Sequence, residues 1–138
     1  MEIFDKLKSL VGIGTATIEV SEATTPVRAG AELRATVTLR GGDYDAPVQD
    51  VQLHVDEERM VYAAQGRGGF QFWHKRADLT VPLGGRVLAK GETLTLPVAV
   101  TLPADLEPSG EHRRYLLIAE TEVPGLNPKH SIVVEVVA

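Results

Sequence analysis

Residues 94–103, LTLPVAVTLP, decide the fold. Leu94, Leu96, Val98, Val100 and Leu102 occupy every second position, with Thr95, Pro97, Ala99 and Thr101 between them. Side chains alternate faces along a strand, so the stretch presents one aliphatic face and one small, weakly polar face. A helix would scatter the same residues around its circumference. Burying these aliphatic side chains contributes roughly 1.5–3 kcal/mol each before chain entropy is subtracted. The stretch therefore reads as a half-buried strand of an antiparallel sheet, which needs a second layer over its aliphatic face. Pro97 cannot donate a ladder hydrogen bond and points to an edge position or a bulge.

The same period of two recurs on both sides. Ala16, Ile18 and Val20 alternate with Thr17 and Glu19, and Leu33, Ala35, Val37 and Leu39 with Arg34, Thr36 and Thr38. Gly41-Gly42 ends that run. Val51, Leu53 and Val55 alternate with Gln52, His54 and Asp56, and Met60 and Tyr62 continue on a less regular strand. After the glycines at 66, 68 and 69, Phe70 and Phe72 share a face expected to enter the core, with Trp73 on the other face beside Gln71 and Lys75. Ala77, Leu79, Val81 and Leu83 run up to Gly84-Gly85, and Arg86 to Ala89 reads as a short stub. Tyr115 to Ala119 is apolar on both faces and is expected to be covered on both, and Ile132, Val134 and Val136 form the last strand. Roughly eight strands with turns at fairly regular intervals give an all-β, immunoglobulin-like antiparallel β-sandwich.

One helix is expected, over Glu2 to Val11. Phe4, Leu7 and Val11 recur at i, i+3, i+7, flanked by Ile3 and Leu10, and Gly12 and Gly14 stop it. Ten residues make a marginal helix alone, so it must dock: on an open end or edge of the sheet, or on a partner. Its balanced charge and lack of tryptophan make a membrane surface the less favoured dock. The expected organisation is a single domain over 1–138, with the helix over 1–12 and the sandwich over 15–138.

The chain has 138 residues, no cysteine and a net charge of −5. That length can bury a core without staples, and the absence of thiols rules out a disulfide framework and thiolate chemistry. The acidic balance argues against a nucleic-acid surface. No run approaches the ~18 apolar residues of a membrane span, and acids and lysines interrupt the start in a way unlike a signal peptide. A cytoplasmic location is expected.

Five stretches carry a family resemblance: SLVGIG at 9–14, AGAELRATVTLRGG at 29–42, KGETLTLPVAVTLPADLEPS at 90–109, YLLIAETEV at 115–123 and SIVVEVV at 131–137. Together they resemble the bacterial sporulation-control proteins, which are related in fold to the arrestins. Leu102, Pro103, Pro108 and Ser109, followed by the strand at Tyr115, look like the end of an arrestin amino-terminal domain. The resemblance implies an arrestin-like fold and a cytoplasmic regulatory or scaffolding role through protein contacts, without enzymatic activity. Such proteins usually carry two sandwiches in tandem and this sequence supplies one, so the charged core that straddles the arrestin halves does not carry over.

No catalytic, metal or cofactor site is expected. His54, His74, His112 and His130 stand in separate segments without a metal-ligand spacing, and His54 reads as solvated beside Gln52 and Asp56. Asp43, Asp45 and Asp50 lack the glycine and distal glutamate of a calcium loop and suit turns. Gly12-Ile13-Gly14 follows a helix rather than a strand, the reverse of a dinucleotide fingerprint, and GRGG at 66–69 reads as a hairpin tip. Ser9, Ser21, Ser109 and Ser131 have no partner for nucleophilic work. The candidate interaction surface is Phe4, Leu7 and Val11 with Trp73, Lys75 and Arg76, since surface aromatics and arginines favour interfaces; a helix or loop of the same chain covering Trp73 is the equal alternative. The partner is expected to be a protein, with a symmetric homodimer the least demanding version. The alternative is a small-ligand or carbohydrate-binding sandwich that stacks sugars on Trp73, Tyr44 and Tyr62.

Overall fold

The computed structural model describes residues 15–62, 69–124 and 127–138. Nine strands are found among them: β1 (Thr17–Ser21), β2 (Val27–Arg28), β3 (Glu32–Arg40), β4 (Ala46–Tyr62), β5 (Gly69–Leu88), β6 (Thr93–Thr101), β7 (Arg113–Glu120), β8 (Lys129–Val134) and β9 (Val136–Val137). A three-stranded antiparallel sheet runs in the order β1-β3-β6, and a four-stranded one in the order β5-β4-β7-β8. The short strands β2 and β9 pair in parallel at Val27 and Val136. The expected helix over 1–12, with Phe4, Leu7 and Val11, lies outside the described residues, as does the hairpin tip at 66–68.

The two larger sheets face each other as a sandwich. Ile18 and Val20 of β1, Leu33, Val37 and Leu39 of β3, and Val98 and Val100 of β6 meet Val51, Leu53 and Val55 of β4 and Tyr115 and Leu117 of β7 in one buried cluster. Period-two hydrophobicity produces this, since each strand sends alternate side chains inward. β6, the strand of the LTLPVAVTLP stretch, is an edge, with Pro97 opposite Thr36 of β3. Val20 N donates to Nδ1 of His130 on β8 at 3.0 Å, a direct polar link between the sheets.

At one end the β5–β6 turn lies against the β3–β4 connection. Gly41 N donates to Glu92 O at 2.7 Å and Gly91 N to Gly42 O at 3.2 Å. The Glu92 carboxylate accepts from Ala89 N at 2.8 Å and from Arg86 Nη2 at 2.9 Å. These two hydrogen bonds, the backbone one first, hold that carboxyl below its ordinary pKa. Asp45 Oδ1 accepts from Lys90 N at 2.8 Å, so this aspartate ties down the turn.

Several expectations are corrected. β4 and β5 are longer than expected, 17 and 20 residues, and β5 continues past Gly84-Gly85, where its register with β4 shifts between Val48 and Asp50. Their far ends overrun the facing sheet. Phe72, opposite Arg59, is consequently 45 % exposed where the sequence places it in the core. β7 is covered on one face only, leaving Leu116 and Ile118 half-buried on the other. His54 is not freely solvated, since Nδ1 lies 2.9 Å from Asp56 Oδ1 and Nε2 lies 3.6 Å from Glu120 Oε1.

Candidate functional site

The outer face of the four-stranded sheet is set by register. Opposed residues form rows across it: Lys75, Asp56, Leu116 and Val133; then Asp78, His54, Ile118 and Ser131; then Thr80, Gln52, Glu120 and Lys129. The neighbouring row begins with Trp73, Glu58 and Arg114. Trp73, Leu116 and Ile118 form the apolar wall of a groove of about 570 Å³, completed by Asp56, Lys129, His130 and Ser131. Trp73 is 47 % exposed and Val133, next to Leu116 in its row, is 56 % exposed. An indole left half in water beside aliphatic side chains is the anchor type that dominates protein interfaces.

The glutamates beside the groove lie on opposite faces of β4. Glu58, 4 % exposed, faces outward between Trp73 and Arg114 in their row and accepts hydrogen bonds from Arg114 Nε and Gln71 Nε2. Glu57, 5 % exposed, faces inward at the overrunning end, where the β6–β7 loop takes the place of the facing sheet. Its carboxylate accepts from Arg113 Nε at 2.8 Å, and Arg76 Nη1 lies 3.6 Å away. Arg76 also reaches Asp105 at 3.2 Å, and Arg113 reaches Glu107 at 3.3 Å. A buried carboxylate needs this company, because an unpaired buried charge would revert to its neutral form or unfold the site.

Tyr115, opposite Glu57 on β7, completes that cluster. Its hydroxyl donates to Glu107 O at 2.5 Å and stands 3.3 Å from Glu57 Oε2. Burial first, then the Glu57 charge and hydrogen bond, push the phenol up to about 12. The unfolded chain loses this proton near pH 10. Between pH 10 and 12 the folded state thus holds the proton and the unfolded state does not, so stability falls as pH rises through that window. This group is expected to give up about 2–3 kcal/mol between pH 10 and 12, its contribution being complete below pH 10. Tyr115→Phe should cost about 1–2 kcal/mol at neutral pH and flatten that alkaline fall, read from urea midpoints across pH. An equally steep fall in the variant would refute the assignment.

The sequence-derived surface residues are only partly brought together. Trp73 and Lys75 lie on the outer face, where Lys75 Nζ pairs with Asp78 Oδ2 at 3.1 Å. Arg76 is carried to the inner face by a bulge between Val55 and Asp56 of β4. Leu116, Ile118 and the Glu57 and Glu58 pairs went unrecognised in the sequence. An apolar strand of five residues at 115–119 was the available signal, since its second face had to meet something. Tyr44 packs against the core and donates to Pro124 O at 3.4 Å, and it does not line the groove with Trp73. Among the described residues, no three His, Asp or Glu side chains converge as a metal would require.

Comparisons with known proteins agree on one relationship. A family model described as "SpoOM protein" matches residues 4–123. Among solved structures, Spo0M, sporulation control protein, from Bacillus subtilis superposes with a TM-score of 0.78 at 17 % sequence identity. The match covers 91 % of this chain and 51 % of that one, so this chain spans about half its length. At that identity the likeness is one of fold. The search of curated proteins gives no match.

Proposed function

Since the chain belongs to the SpoOM protein family, we propose that it is a non-catalytic regulatory module of sporulation-control type, with an arrestin-like, immunoglobulin-like sandwich that binds a protein partner in the cytoplasm. The groove under Trp73 carries this reading. It joins an exposed indole to Leu116 and Ile118, with Asp56 and Lys129 at hand to fix a partner's orientation. Apolar anchors ringed by polar groups are the anatomy of a protein-binding patch. The polar groups nearby support the same view: both ring nitrogens of His54 lie against carboxylates, and His130 Nδ1 accepts from Val20 N. A carbohydrate site finds less support, because Tyr44 is turned away from the groove.

Trp73→Ala is the direct test. Proteins captured from the native cytoplasm by the wild type and lost by the variant identify the partner, whose affinity is then measured with purified components. Trp73→Ala is expected to weaken binding at least about tenfold while the unfolding midpoint stays within experimental scatter. Unchanged affinity for every captured protein would remove the groove from consideration.

A further inference from the structure

We propose that β5 pairs antiparallel with β5 of a second copy of this chain, joining two four-stranded sheets into one across a two-fold axis between Arg76 and Ala77. The inference rests on the reading of the chain as an interaction module but uses the backbone edge of the sheet, where Trp73 alone of the pairing run also lines the groove. β5 is 20 residues long and stands last in its sheet. Among the described residues only β4 pairs with it. Long edge strands invite pairing unless something blunts them. Here Pro82 and the glycines at 84 and 85, with φ of 64° and 78°, interrupt only one end. Phe72 to Val81 is left as a run of ten residues that only the bulge at Arg76 interrupts.

That run holds one irregularity, and it sets the register. Val55 faces Ala77 and Asp56 faces Lys75, so Arg76 is an extra residue bulged out of the ladder. Arg76 turns inward to Glu57, and Ala77 packs on the core, so two consecutive residues share the inner face. The outer face then carries Gln71, Trp73, Lys75, Asp78, Thr80 and Pro82, and the inner face Phe72, His74, Leu79 and Val81. This pattern is symmetric about the midpoint of Arg76 and Ala77. Facing residues in a sheet lie on the same side of it. Pairing two copies about that midpoint matches every facing pair. A slip of one residue mismatches every pair across the bulge, and a slip of two mismatches those at the axis.

The matched register is also complementary in charge. It sets Lys75 opposite Asp78 of the second copy, and symmetry repeats the pair. Both side chains are well exposed, at 59 % and 67 %. Trp73 then faces Thr80 of the second copy, and Phe72 faces its Val81, aromatic against β-branched in both cases. Pro82 falls opposite Gln71, beyond the end of the run, so no missing amide donor interrupts the pairing.

Sedimentation equilibrium of the full chain tests this. The wild type is expected to dimerise. Lys75→Asp and Asp78→Lys should each weaken the dimer about tenfold, since each sets like charges opposite one another twice. An equimolar mixture of the two variants should regain wild-type association to within about threefold, because every facing pair becomes acid against base. In the wild type, amide exchange over Phe72–Val81 should slow as concentration rises. A wild type that stays monomeric at millimolar concentration, exchange independent of concentration, or a mixture no tighter than its components would each overturn the pairing. Neither Lys75 nor Asp78 lines the groove, so self-association can fail while Trp73→Ala still weakens partner binding, and the reverse result would sink the groove alone.

Discussion

Gly41→Ala is expected to lower stability by about 3 kcal/mol or more. A Cβ built on Gly41 would stand 2.0 Å from Ala89 O, 3.0 Å from Gly91 N and 3.1 Å from Ala89 C. All of these are backbone atoms and cannot rotate aside. Relief requires the β5–β6 turn to move away, breaking the hydrogen bond from Gly41 N to Glu92 O and the one from Gly91 N to Gly42 O. The glycine is needed for close approach of two chain segments, not for an unusual backbone angle. Gly110→Ala is the control, because a Cβ there meets nothing within 4 Å. It should leave the urea midpoint within about 0.5 kcal/mol of wild type. Two variants with equal midpoints would mean that the turn does not press on Gly41.

Glu57→Ala should cost about 3 kcal/mol, because it leaves Arg113 and Arg76 facing one another without the carboxylate between them. The loss should not be additive. In a double-mutant cycle with Arg113→Ala, the pair is expected to couple by about 1–3 kcal/mol, since they share the 2.8 Å contact. Glu57→Gln, which keeps an acceptor for Arg113 and Tyr115, should lose less than the alanine variant. Coupling near zero would make the cluster a solvated surface network of the kind that contributes little.

The two buried glutamates also show the limits of reading a period. Alternation places consecutive residues on opposite faces, so Glu57-Glu58 predicts one carboxylate inside and one out. Both are nevertheless buried, because the β6–β7 loop covers the inward one while Arg114 and Gln71 cover the outward one. Each of these partners except Gln71 comes from a segment more than forty residues away in sequence, and no local pattern announces them. The candidate site behaves the same way. Trp73 is a candidate interface residue from the sequence, but Leu116 and Ile118, which line the groove with it, come from a strand joined to it only through β4.

Alternating aliphatic residues by themselves determined that the described strands each bury one face in a common core, while Pro97, which lacks an amide donor, left its strand an edge or a bulge. Those properties follow from side-chain geometry repeated along a single strand. Tertiary structure alone decided where one sheet ends beneath the other, leaving Phe72 in solvent, and where the ladder bulges, sending Arg76 to the face opposite Trp73. It also decided that Gly41 must lie against Ala89. Periodicity reports which side a residue faces, whereas coverage and contact depend on strands that meet only after the chain has closed on itself.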